Sequence, residues 1–390
     1  LSCNLLVMNY SLRSLVFFLI YFVVNFLFLT KYGIRQNFVP LYFLSVLFVG
    51  FNYLIFYNRK NNFFYKITNN RMVYLLVFVI FTVYFVFCNL LNDPYKLNID
   101  RWQTLNYSLD FWIHGQYFYD EINFMGNKSS YLPGQLLVSL PFYLLKNVGY
   151  LQLASFLLFA YTLKLSFKSN YLQFLGIFMF GISLSYIYEV LCKSDFLSSF
   201  ILVASFIAIW DKKFKDNYFK KPYLLGGIVG VLCLTRSVAL LPLIIFLFRP
   251  FLFIDFHYKI KFVAALIFTI IVLLGTVILP ADDLFYVLKH NPLNLQGQSN
   301  SYVMMFFLLT AFWVSFKVRR VEHVFYFSSI FLFLLMVCFL TEKYFLLNYH
   351  YQSNLFSTTY LAACLPFAII SFCFTIQKEM QQKDQVKNLI

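Results

Sequence analysis

Charge is scarce in this chain. Lys, Arg, Asp and Glu make up 12% of its 390 residues, where a soluble domain carries about a quarter. Acids are rarer still, 16 against 31 basic residues. The seven cysteines (Cys3, Cys88, Cys192, Cys233, Cys338, Cys364 and Cys373) show no CxxC spacing. No disulfide framework and no cysteine metal site are expected from them, and most lie in apolar runs, where free Cys is a small hydrophobe. The five histidines (His114, His257, His290, His323, His350) are scattered without HExxH spacing. P-loop and GxSxG signatures are missing too. There is no repeat, no low-complexity linker and no stretch that reads as a soluble domain, so the whole chain, 1–390, is expected to be one integral membrane domain. No cleavable signal peptide is expected, because the first apolar run is long enough to span and no small-residue cleavage site follows it. The chain opens on Leu1 rather than Met, so its start is expected to be truncated or misassigned.

What is abundant is apolar surface. Hydrophobic residues are 61% of the chain, and many apolar runs reach about 18 residues or more, the length that crosses a bilayer. The fold expected is all-α, a polytopic transmembrane bundle of about eleven to thirteen membrane helices, several of them short. The chain carries 53 Phe and 30 Tyr; Tyr and Trp favour the headgroup zone. A net charge of +15 in such a chain reads as Lys and Arg in cytoplasmic loops under the positive-inside rule, not as a nucleic-acid surface.

Spans are expected at 14–30, 40–57 and 72–91. The loop 58–71 holds Arg59, Lys60, Lys66 and Arg71 and no acid, which makes it cytoplasmic and puts the segment 92–130 outside. Further apolar runs cover 131–145, 150–165, 171–191, 196–210, 223–248, 261–279, 302–316, 324–340 and 355–376. The loop 211–221 has five lysines and reads as internal, as do Lys317, Arg319 and Arg320 and the tail after Gln377; 281–300 reads as external. Lys164 and Lys168 disturb the parity: either one run after Ser130 is re-entrant or these lysines lie outside.

The longest polar interruption is Asn98 to Leu140. It carries Asp100, Asp110, Asp120 and Glu121, with Asp93 just upstream. Trp102, Leu105, Leu109, Trp112 and Ile113 recur at spacings of three and four, so 99–114 is expected as an interfacial helix with this stripe in lipid or against the bundle. Asp100, Gln103, Thr104, Tyr107 and Asp110 take the polar side. Asp100 sits at the helix start, where an acid is equally a catalytic candidate or a first-turn cap. Pro133 and Pro141 in Tyr131-Leu-Pro-Gly-Gln and Pro141-Phe-Tyr bracket the start of a short helix.

Two clusters fall inside apolar runs, where ionisable groups are costly and either pair or mark a functional path. One is Glu189 with Lys193-Ser194-Asp195, where Lys193 and Asp195 bind substrate or neutralise each other. The other is Thr235-Arg236-Ser237, which is expected to break its run into two half-helices. Arg236 either pairs with Asp195 or offers its guanidinium to a phosphate.

The order of these features, Ile99-Asp100-Arg101-Trp102, Gly115-Gln-Tyr-Phe-Tyr119, Tyr131-Leu-Pro-Gly134, Pro141-Phe-Tyr, Lys193-Ser-Asp195, Gly230 to Arg236 and Pro242, resembles the GT-C superfamily of integral membrane glycosyltransferases, in particular its bacterial mannosyltransferase-like members. The resemblance spans roughly 81–250. It implies an enzyme of the cytoplasmic (inner) membrane that takes a sugar from a polyprenyl-phosphate donor and passes it to a glycan or glycolipid acceptor. It implies Asp100 as the catalytic base. Arg101, Tyr107, Asp110, Tyr131, Lys193, Asp195 and Arg236 are the substrate-binding candidates, with the cations on the donor phosphate. No cofactor beyond the lipid-linked donor and no bound metal are expected, and membrane lipid is the only other partner. The chain departs from the usual family pattern in placing two spans before the one that feeds the outer loop. Two other classes compete: an O-antigen-type polymerase or ligase, whose outer residues are typically Arg and His, and a transporter or flippase of lipid-linked glycans, which would show matched broken helices in both halves.

Overall fold

The structure, a computed structural model, describes residues 9–34, 38–97, 99–283, 287, 296, 299–346 and 355–387. Cys3, His290, His350, Asn98 and most of the expected external loop 281–300 lie outside them. Among the described residues every named element is helical, and extended pairing is limited to one isolated bridge between Ile122 and Lys128.

Six helices are long and apolar enough to cross a membrane: Tyr10–Gly33, Leu41–Asn58, Arg71–Leu91, Phe256–Ile278, Val321–Phe345 and Thr358–Gln382. A seventh span is possible as the pair Asn170–Gly181 and Leu184–Leu191, which bends by 58° at Ile182-Ser183. The chain is thus a multi-pass helical membrane protein. The eleven to thirteen apolar runs of the sequence do not all become long helices: Pro222–Cys233 and Ser301–Ser315 are shorter. Burial separates two kinds of span. In Leu41–Asn58 only 6% of the apolar window is buried, and in Arg71–Leu91 and Phe256–Ile278 only 11%. Contiguous apolar surface of that extent is stable only in lipid or against a partner.

The chain folds as two compact units. The first is assembled from 1–84, 159–188 and 320–390. Its centre is the helix ending at Lys387: in the window 358–382, 94% of the residues are buried. Aromatic side chains fill the space around it, with Phe18 and Phe372 rings 5.6 Å apart and Phe325 and Phe374 6.0 Å apart. Glu379, a buried acid on this helix, is 2.8 Å from Lys60 Nζ and accepts from Ser14 Oγ at 2.8 Å.

The second unit is 85–158 and 189–319. Two glycines set its closest helix pairing. A Cβ on Gly226 would meet the Phe262 carbonyl oxygen at 2.5 Å, and one on Gly230 would meet Thr269 Cβ at 2.9 Å. This small-xxx-small spacing lets Pro222–Cys233 lie directly on Phe256–Ile278, where van der Waals contact replaces the hydrophobic drive that lipid does not supply. The apolar run around Arg236 is broken as the sequence predicts: Pro222–Cys233 ends, Arg236 is extended, and a short turn Ser237–Ala239 leads into Leu240–Phe253.

Candidate functional site

The helix Arg101–Ile113 follows the expected interfacial segment, one to two residues shorter at each end. Its buried face is Thr104, Leu105, Ser108 and Leu109, with Trp102 and Trp112 partly buried against the same cluster. The expected stripe is therefore rotated. Ile113 is 46% exposed, and Thr104 moves inward because its hydroxyl has partners: it donates to the Asp100 carbonyl at 2.9 Å and accepts from Asn123 Nδ2 at 2.9 Å.

Asp100 occupies the cap position, but its side chain makes no cap hydrogen bond. Its Oδ2 instead accepts from two amides, Asn123 Nδ2 at 2.8 Å and Asn127 Nδ2 at 2.7 Å. Among the described residues Oδ1 has no hydrogen-bond partner, and the residue is half-buried. One oxygen is held and the other is open.

Arg101 points elsewhere. Its Nη1 lies 3.4 Å from Glu189 Oε1 and 3.3 Å from Ser194 Oγ. The other Glu189 oxygen accepts from the Leu197 backbone N–H at 3.1 Å. Glu189 thereby caps the helix Phe196–Phe214 from outside, satisfying one of the N–H groups a helix start leaves open. Asp195 stands at the cap position of that helix without capping it. Its carboxylate is fully buried and faces the other way. Arg236 Nη2 donates to Oδ2 at 2.7 Å, and the Tyr131 hydroxyl is 3.0 Å from Oδ1. The same hydroxyl lies 3.0 Å from the Arg101 carbonyl. The Arg236 guanidinium also sits 5.5 Å from the Tyr131 ring and 5.4 Å from the Phe196 ring.

Thus Arg101, Tyr131, Asp195 and Arg236 form one connected network, and Asp100 adjoins it through the peptide bond to Arg101. Asp195 pairs with Arg236, not with Lys193, which answers the alternative left open by their spacing in sequence. Lys193 takes the left-handed backbone (φ 48°) at the end of its helix. Its stem packs beside Gly149, where a Cβ would lie 2.8 Å from Lys193 Cγ. Among the described residues its ammonium makes no ion pair or hydrogen bond. Burial pushes Lys193 below the usual lysine range, with Asp93 pulling partly back.

Tyr107 and Asp110 do not join this network. The Tyr107 hydroxyl donates to the Glu121 carbonyl at 3.3 Å. Burial first, then the charges of Asp100 and Glu121, push Tyr107 up to about 12, so it stays a donor at neutral pH. Asp110 lies at the far end of the helix and accepts from the Tyr143 hydroxyl at 2.7 Å; ten residues of helix put it about 15 Å along the axis from Asp100.

The backbone around Tyr131 explains its Leu-Pro-Gly-Gln sequel. Pro133 starts the helix Pro133–Leu144, and Pro141 lies inside it, near its end. Gly134 is docked on the break before Arg236: a Cβ would meet the Val231 carbonyl oxygen at 2.3 Å and Leu234 C at 2.6 Å. The next N–H, on Gln135, donates to the Leu234 carbonyl at 3.2 Å. Gln135 Oε1 accepts from Ser199 Oγ at 2.8 Å. Gln296 completes the bracket, accepting from the Ser237 N–H at 3.1 Å and donating to the Ser130 carbonyl at 2.9 Å.

Asn123, Asn127, Gln135 and Gln296 are thus structural members that the sequence did not assign to the site, while Glu189, singled out in sequence, takes a structural place as a cap and a partner of Arg101. The available signal was polarity itself: Gln135 and Gln296 are buried polar residues, which must find partners. Among the described residues no group of three His, Cys, Asp or Glu could hold a metal ion. Compared with known families, curated proteins and solved structures, the chain matches none.

Proposed function

We propose that this chain is a GT-C-type membrane glycosyltransferase. It moves a hexose, such as mannose, from a polyprenyl-phosphate donor to a hydroxyl of a glycan or glycolipid at the outer face of the cytoplasmic membrane. The observation that carries the reading is Asp100: a carboxylate with one oxygen pinned by two amides and the other open, in a chain of membrane helices and beside a buried Arg–Asp pair.

In the proposed step the acceptor hydroxyl oxygen attacks the anomeric carbon and a new C–O bond forms. The bond from that carbon to the phosphate oxygen breaks, and its electron pair leaves on polyprenyl phosphate. Asp100 Oδ1 takes the hydroxyl proton, which a base at hydrogen-bond distance does with about 10²- to 10⁴-fold benefit. The departing phosphate needs a cation. Arg236 and Arg101 already face buried acids, so in this reading they act as struts, and Lys193 meets the phosphate. Basic loops on the opposite side from 92–130 keep that segment outside.

The test is transfer from polyprenyl-phosphate mannose, glucose or galactose to alkyl hexosides by the full chain in detergent. Asp100→Asn should lower kcat at least 100-fold, while near-normal activity would remove the assignment.

A second reading, a carrier of lipid-linked glycans, has one observation in its favour. Helices are broken at Ile182-Ser183 and again at Leu234 to Arg236, one break in each unit. Broken helices in both halves are a feature of carriers. Movement of a fluorescent lipid-linked hexose across proteoliposomes without any acceptor would favour it over transfer.

A further inference from the structure

The turn from Ile122 to Lys128 does more than connect two helices. Asn123 is saturated. Its Nδ2 donates to Asp100 Oδ2 at 2.8 Å and to Thr104 Oγ1 at 2.9 Å, and its Oδ1 accepts the backbone N–H groups of Met125 and Asn127 at 3.0 Å each. Backbone N–H groups only donate, so the amide orientation is dictated by its partners. Gly126, at φ 82°, closes the turn, and the backbone bridge between Ile122 and Lys128 clamps its base. Asn127 is exposed, and among the described residues the one hydrogen bond of its side chain runs to Asp100 Oδ2 at 2.7 Å.

The arrangement is asymmetric. Both donors go to the same carboxylate oxygen, which fixes the rotation of the carboxyl plane and turns Oδ1 away from the turn. A base that must meet an acceptor hydroxyl in one geometry gains from such fixing, since misplacement by about 1 Å costs on the order of 100-fold. We propose that Asn123 and Asn127 are positioning residues for Asp100, and that the turn 122–128 is the clip that aims its open oxygen at the acceptor. This inference rests on the reading of Asp100 as the base.

Asn127→Ala is the clean variant, because Asn123 also builds the turn while, among the described residues, the Asn127 side chain hydrogen-bonds to Asp100 alone. In the polyprenyl-phosphate hexose assay, Asn127→Ala should lower kcat about 10-fold with KM and melting temperature unchanged. Asn127→Asp sets a second carboxylate against Oδ2. Two acids sharing one site hold a proton to higher pH, so the acid limb of its rate profile should move upward, which a purely structural change would not produce. Carbodiimide labelling of Asp100, read by peptide mass spectrometry, gives an answer without turnover: Asn127→Ala should label several-fold faster than the parent. Loss of activity in Asp100→Asn together with unchanged kcat and unchanged labelling in Asn127→Ala would overturn the clip alone. Full activity in Asp100→Asn would overturn the base, and the clip with it.

Discussion

The Tyr131 hydroxyl lies 3.0 Å from Asp195 Oδ1 and 3.0 Å from the carbonyl of Arg101. It has one proton and two acceptors. With the Arg236 guanidinium 2.7 Å from the other Asp195 oxygen, this tyrosine ties a buried ion pair to the backbone beside Asp100.

Removing that hydroxyl has a defined cost. In Tyr131→Phe the ring still lies under Arg236, but one buried and one partly buried acceptor lose their shared donor. The protein should be destabilised by about 1–3 kcal/mol, read from chemical unfolding in detergent.

The ion pair itself should behave as a unit. Asp195→Asn or Arg236→Gln alone leaves a buried charge without its partner and should cost about 3–5 kcal/mol. The double variant should cost clearly less than the two singles combined, because no net charge remains buried. A double-mutant cycle checks this, and simple additivity would mean that the pair is not coupled.

Gly134 should not tolerate a methyl group. A Cβ there meets backbone atoms at 2.3 and 2.6 Å, which cannot step aside as a flexible side chain can. Gly134→Ala should lose about 1–3 kcal/mol or more. Gly227→Ala is the control, since its nearest neighbour would be Thr269 Oγ1 at 3.7 Å. Melting curves of the two variants should differ plainly.

Lys193 gives a pH dependence. Burial lowers its folded pKa, so between the folded and unfolded values the unfolded chain binds more protons and stability rises with pH. Donor affinity should run the opposite way. If Lys193 meets the donor phosphate as proposed, its ammonium is lost on the alkaline side earlier than for an ordinary lysine. Binding of polyprenyl phosphate should therefore weaken as pH rises through this range, and Lys193→Arg should flatten the profile because Arg stays charged.

Local features were the most readable from sequence. The helix after Asp100 followed from a spacing of three and four, and the break at Arg236 from one charge in an apolar run. The side chains that complete the site were not readable this way. Asn123 and Asn127 meet Asp100 across 23 and 27 residues, and Asp195 meets Tyr131 across 64; the Asp195–Arg236 pair, 41 residues apart, was one of two alternatives the sequence left open. Periodicity carries no information over such distances. Ile113 shows the reverse failure: it fits the apolar stripe, yet Thr104 takes the inward place because its hydroxyl has partners there.

The first unit is built from three stretches of chain far apart in sequence, and the helix at its centre comes from the third of them. Tyr10–Gly33 therefore enters the bilayer several hundred residues before its main packing partner exists. Until that partner is made, the buried face of the early helix, with Arg13, Asn25 and Lys31 on it, lacks the packing it has in the folded unit. A ribosome stalled before residue 355 should leave the packing face of the first helix open to crosslinking.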